Sequence, residues 1–244
     1  MLFIGVDLGT SAVKLLLMDE TGKIHKVVSK EYPLYFPQPG WSEQNPQDWI
    51  RQSMEGIKEL TAQCDKSQIK GISFGGQMHG LVVLDEKDQI IRPAILWNDG
   101  RTGKQTDYLN QEIGKETLSR YTGNIAFAGF TAPKILWMRE KEPENFARIR
   151  RIMLPKDYLA FYLSGEFSTD YSDASGTLLL DVEHKCWSEE MMEICGVRES
   201  QLPKLYESWE PTGAIKPEIA EELGIPQDVK IIAGAGDNAA AAVG

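Results

Sequence analysis

Residues 2 to 18 constrain this chain more than any other stretch. An apolar start, Leu2-Phe3-Ile4-Gly5-Val6, runs into Asp7-Leu8-Gly9-Thr10-Ser11, and a second apolar run follows from Val13 to Met18. Short apolar runs separated by a glycine-led turn predict neighbouring strands, and a third run from Ile24 to Ser29 after Thr21-Gly22 extends them to an antiparallel meander. The first turn carries chemistry as well as geometry. Gly9 lets backbone approach a ligand closely, Thr10 and Ser11 add N–H and O–H donors, and Lys14 adds positive charge, so the turn suits a polyphosphate. Asp7 repels phosphate directly but can organise a magnesium ion that bridges to it. A tight hairpin with a solvated turn accounts for the same residues without any ligand.

Composition excludes several classes. The net charge of −10, with no block of Lys or Arg, argues against a nucleic-acid surface. A bound nucleotide would therefore need local donors and a metal. Cys64, Cys186 and Cys195 are scattered, as are His25, His79 and His184, so neither a disulfide framework nor a zinc site is expected. A reducing cytoplasm fits this cysteine usage. No apolar run reaches the roughly 18 residues needed to span a membrane, and the N-terminus reads as a strand rather than a signal peptide.

Further along, Asn45-Pro46 predicts a capped helix start, with Trp49, Ile50, Met54, Ile57 and Leu60 on one face. Ile69 to Phe74 reads as a strand leading into Gly75-Gly76-Gln77-Met78-His79. The middle of the chain is mostly helical, and 170–175 is a loop or short helix. Val229 to Ala233 reads as a strand, Gly234 to Asn238 as a glycine-rich turn, and Ala239 as the start of a helix. Asp7, the Gln77-Met78-His79 segment and Asp237-Asn238 thus all lie at strand ends, where α/β sheets gather ligands. Two aspartates so placed suit phosphoryl transfer, one organising the metal and the other accepting a proton from an attacking hydroxyl. Each has a structural alternative: Asp237 as a helix cap, His79 as a structural histidine, Gly75-Gly76 as a bend. Trp97 reads as core, and Asp99 with Arg101 as a surface ion pair.

Asp7-Leu8-Gly9-Thr10-Ser11 with Lys14, Gly76-Gln77-Met78-His79-Gly80, Ala94 to Arg101, Gly129 to Lys134 and Gly234 to Ala240 occur in that order. With them the chain resembles, over essentially its whole length, the N-terminal half of the FGGY carbohydrate kinases. The resemblance implies a ribonuclease-H-like, actin-like ATPase domain of α/β class, a mixed sheet flanked by helices, with residues 1–244 forming the sugar-binding domain. It implies Asp237 as general base, Met78, His79 and Asn238 at the sugar, and Gly9, Thr10, Ser11 and Lys14 as the first phosphate loop. Asp7 would be needed for activity, holding Mg²⁺ through water. The segments around Gln77 and Trp97, with Leu154 to Tyr158, are nearest to members that phosphorylate D-xylulose at O5 with ATP. Kinases of other sugars or polyols and a non-catalytic sugar sensor are the alternatives. The resemblance further implies that the nucleotide-binding C-terminal domain is absent from this chain, which alone would not turn over. It implies sugar and ATP as ligands, no nucleic acid or membrane partner, and is compatible with a homodimer.

Overall fold

A computed structural model describes residues 1–243 of the chain. Its first three strands are β1 (Leu2–Leu8), β2 (Ala12–Asp19) and β3 (Ile24–Glu31), paired antiparallel in succession as the short turns require. Helix α1 (Pro46–Leu60) follows; the Asn45 side chain accepts the Gln47 N–H at 3.1 Å and Pro46 occupies the first turn. Strand β4 (Ile69–Gly76) then runs parallel to β1. A long excursion contains α2 (Thr131–Lys141), α3 (Pro155–Ser164) and the short α4 (Tyr171–Ser175). The chain returns through β5 (Pro211–Ala214), α5 (Pro217–Leu223), β6 (Lys230–Ile232) and β7 (Ala235–Gly236), and ends in α6 (Asp237–Val243).

The central sheet has seven strands in the order β5-β6-β4-β1-β2-β3, with β7 also on β4. Strands β6 and β7 are one broken strand: both run parallel to β4, the first at Gly71 and Ile72, the second at Gly75 and Gly76. The break lies at Gly234, whose φ is +76°. There the chain leaves β4, and the Ala233 and Gly234 N–H groups donate to Glu210 and Ser208 carbonyls instead. Gly236 thus ends the strand, and α6 begins at Asp237 itself rather than at Ala239.

Two apolar cores flank the design. Ile4, Val6 and Leu8 of β1 and Val13, Leu15 and Leu17 of β2 pack under Trp49, Ile57 and Leu60 of α1 and Leu159 and Leu163 of α3. Fully burying one such side chain stabilises by about 1.5–3 kcal/mol. Because side chains alternate along a strand, fixing the even positions of β1 inward fixes Asp7 outward. The second core lies beneath the excursion, around Leu81, Ile95, Ile135, Met138, Ile152, Leu179 and Trp187. No helix among the described residues is long and apolar enough to cross a membrane.

Leu84 bridges antiparallel to Ile90 across the turn at Asp85–Asp88, and the strand Val82–Leu84 also pairs with Arg151–Met153, which ties the excursion together. A β-carbon on Gly234 would lie 2.1 Å from the Phe74 carbonyl oxygen, whereas one on Gly22 (φ +85°) meets nothing within 4 Å. Urea unfolding should therefore separate the two: Gly22→Ala should cost about 1 kcal/mol, the left-handed penalty alone, and Gly234→Ala at least twice that.

Candidate active site

The turn after β1 is anchored by its carbonyls. The Tyr32 hydroxyl donates to Gly9 O, Gln44 Nε2 to Thr10 O at 2.6 Å, and the Tyr32 N–H to Ser11 O at 3.3 Å. Gln77 Nε2 donates to Gln44 Oε1 at 3.0 Å, tying this support to the end of β4. The Thr10 and Ser11 N–H groups have no acceptor among the described residues. A turn whose carbonyls are occupied and whose N–H groups are free is built to receive an anion. Lys14 is exposed directly across from Asp7 in the β1–β2 register.

Asp237 stands at the same strand ends. Asp7 pairs in register with Gly75 of β4, and Gly75 with Ala235 of β7, so a row of three backbones leads from one aspartate toward the other. Both carboxylates are exposed. The protein packed about Asp7 raises its pKa, Lys14 opposes this, and the negative charge of Asp237 adds to the rise. With Lys14, Ser73 and Gly75 they line a cavity of about 570 Å³. The Asn238 N–H donates to Asp237 Oδ1 at 2.7 Å, so this residue's backbone orients the carboxylate. Among the described residues no group of three His, Cys, Asp or Glu side chains is arranged so that it could hold a metal ion by itself. One exposed carboxylate beside free N–H groups still fits Mg²⁺, which binds through one or two carboxylates, substrate phosphates and water.

Met78 and His79, which follow β4 directly, are half-buried. His79 adopts φ +66°, in the left-handed region that a residue with a side chain occupies at a cost. Its carbonyl is clamped by Thr131 Oγ1 at 3.1 Å and Lys134 Nζ at 2.8 Å. Its ring lies 4.6 Å from the Phe130 ring, and Nδ1 contacts the Gly176 carbonyl at 2.8 Å. A carbonyl only accepts, so Nδ1 carries the proton and Nε2 is left as an acceptor while the ring is neutral. Burial lowers the pKa of His79 below its ordinary 6.5, which favours that neutral form.

Three features correct the sequence reading. Trp97 is not core: it is 47% exposed and its indole N–H donates to Thr10 Oγ1 at 3.0 Å, joining its loop to the turn after β1. Asp99 and Arg101 do pair, at 2.7 Å, but buried, with the guanidinium over Trp41 at 3.7 Å and Trp137 at 4.9 Å and bonded to Glu43. Lys134 received no role in the sequence reading. It is fully buried, and its Nζ also donates to Gly129 O. A lysine inside an otherwise apolar helix face was the available signal. Of the residues singled out at the strand ends, Asp7, Lys14 and Asp237 line one cavity, Met78 packs against Gly236 beside Asp237, the Asn238 N–H donates to Asp237, and Gly9, Thr10 and Ser11 form the turn between β1 and β2.

A mixed sheet of this order, with one aspartate at the end of its first strand and another where its last strand meets a helix, defines a ribonuclease-H-like domain of the actin-like ATPase class. Residues 2–244 match the model of the FGGY family of carbohydrate kinases, N-terminal domain. A xylulose kinase of Lactococcus lactis is 48% identical over 99% of this chain and 48% of its own length. A crystal structure described as a xyloylose kinase from Brucella ovis superposes with a TM-score of 0.95 at 43% identity, covering 98% of this chain and 49% of that one. The gluconate kinase of Lactobacillus acidophilus superposes at 0.93 with 33% identity, covering 97% and 48%. This chain belongs to the FGGY family of carbohydrate kinases. It spans about half the length of the curated relatives it matches.

Burial pushes the pKa of Lys134 down to about 7, with Asp99 opposing and Arg101 reinforcing the fall. Between about 7 and the ordinary 10.5 the unfolded chain then holds more protons at this site than the folded one, so stability rises with pH across that window. From pH 7 to 8.5, urea unfolding should show a gain of about 1–2 kcal/mol that Lys134→Met abolishes.

Proposed function

We propose that residues 1–244 form the sugar-side domain of a kinase that phosphorylates D-xylulose to D-xylulose 5-phosphate with ATP. The observation that supports this reading most is the nearness of Asp237 both to Asp7 and Lys14, with which it lines one cavity, and to Met78, which packs against Gly236. In this reading Met78, His79 and Asn238 hold the sugar, with the neutral His79 Nε2 accepting a hydrogen bond from one of its hydroxyls. Asp237 takes the proton of the O5 hydroxyl as that oxygen bonds to the γ-phosphorus. The bond from phosphorus to the β–γ bridging oxygen breaks, and ADP leaves. The N–H groups of Thr10 and Ser11, with Gly9 and Lys14, orient the phosphates. Mg²⁺, when bound with the nucleotide, neutralises charge on the phosphate oxygens, and Asp7 would hold it through water.

The names of the xylulose kinase relatives support xylulose as the sugar, and the likeness to a gluconate kinase makes gluconate the control to include. A coupled ADP-release assay of the intact enzyme on xylulose, ribulose, gluconate and glycerol tests the assignment. Xylulose should give the highest kcat/KM, and preference for another of the four would replace it. Asp237→Asn should lower kcat about 10²–10⁴-fold, the range for loss of a general base. Turnover at the wild-type rate would remove Asp237 from that role.

A further inference from the structure

The short helix α4 spans the two sugar-facing arms. At one end the Gly176 carbonyl takes His79 Nδ1 at 2.8 Å. At the other, the Gly236 N–H donates to Ser172 Oγ at 3.2 Å, and Gly236 immediately precedes Asp237. The arms are packed as well as bonded. A β-carbon on Gly176 would lie 2.5 Å from the His79 ring, and one on Gly236 would lie 2.9 Å from Met78.

The helix is held from behind by buried charge. Asp170 Oδ2 accepts the Ser172 N–H at 2.8 Å, the Ser208 hydroxyl at 3.2 Å and the Ser172 hydroxyl. Its other oxygen lies 2.9 Å from Lys156 Nζ, which also pairs with Asp157 at 2.7 Å and faces Asp173 at 3.6 Å. All four side chains are at most 2% exposed. Lys156 packs directly behind Gly76, the end of β4, where a β-carbon would meet its Cβ at 2.9 Å. The bonding has one polarity. The serine has a single hydroxyl proton and gives it to the carboxylate, so toward Gly236 the oxygen only accepts. The chain runs Gly236 N–H to Ser172 O–H to Asp170, with Lys156 compensating the terminal charge, and hydrogen bonds in such a series strengthen one another.

We propose that Ser172, fixed by Asp170 and Lys156, is a positioning residue for sugar phosphorylation: it pins Gly236 and so sets the Asp237 carboxylate at a fixed place relative to His79. This rests on the kinase reading above. Ser172 itself touches neither the sugar nor the phosphates in that reading. It acts through the backbone, and misplacing a catalytic group by about 1 Å can cost 10²-fold.

The test uses Ser172→Ala and Ser172→Thr in the intact enzyme, reading kcat, KM for D-xylulose, Tm and amide hydrogen exchange at Gly236. Ser172→Ala should lower kcat by about tenfold or more, leave KM within a factor of about three and Tm nearly unchanged, and speed exchange at Gly236. Ser172→Thr, which keeps the hydroxyl, should recover most of the loss. Wild-type kcat in Ser172→Ala overturns the proposal. So does a loss of kcat that merely follows KM and Tm, or a Ser172→Thr enzyme as slow as Ser172→Ala. A wild-type enzyme that phosphorylates no sugar overturns the kinase reading together with this one, whereas turnover by the wild type matched by Ser172→Ala overturns the brace alone.

Discussion

The parallel pairing of β4 with β1 on one side and β6–β7 on the other is the constraint on which the site depends. It sets Asp7, Gly75 and Ala235 in one row, and the next residues, Gly76 and Gly236, in another. Strand alternation then does the rest. With Val6 and Leu8 committed to the core under α1, Asp7 must face the cavity that Asp237 enters from the far strand. The glycines of the second row are sites of close approach: a β-carbon on Gly76 would meet Lys156, and one on Gly236 would meet Met78.

Unusual energetics cluster around these strand ends. His79 keeps a left-handed backbone, Lys134 is fully buried with its Nζ on two carbonyls, and Lys156 is enclosed with three aspartates. Strain and buried charge of this kind cost free energy and persist where surrounding contacts over-determine them. Here each supports a residue facing the cleft. Burial raises the pKa of Asp173 well above the usual carboxylate range, with Lys156 opposing and Asp157 and Asp170 reinforcing the rise.

Much of this was legible in the sequence, and the limits have physical causes. The meander declares itself because period-two alternation and short glycine turns are local, and α1 because Asn45 and Pro46 write its start. Asp7 and Asp237 were legible as strand-end carboxylates. Trp97 was misread because an apolar run resembles core until the fold turns the indole toward Thr10, 87 positions away. The Asp99–Arg101 pair looks like a surface contact in sequence, since nothing local announces that Trp41 and Trp137 will enclose the guanidinium. The start of α6 fell two residues earlier than expected because pairing of Ala235 and Gly236 with β4 delivers the chain directly into the helix. Ser172 carried no signal at all, its part being set by Gly236, 64 positions further on.

The central claim is that the sugar lies between Met78–His79 and Asp237. Methyl-¹³C methionine NMR of the protein during titration with D-xylulose addresses it most directly, because the eight methionines give a countable set of signals and Met78→Leu identifies one of them. A saturable shift of the Met78 methyl, with the core methyls of Met54 and Met138 unmoved, is the predicted result. Saturable sugar binding that leaves the Met78 signal in place would contradict the account.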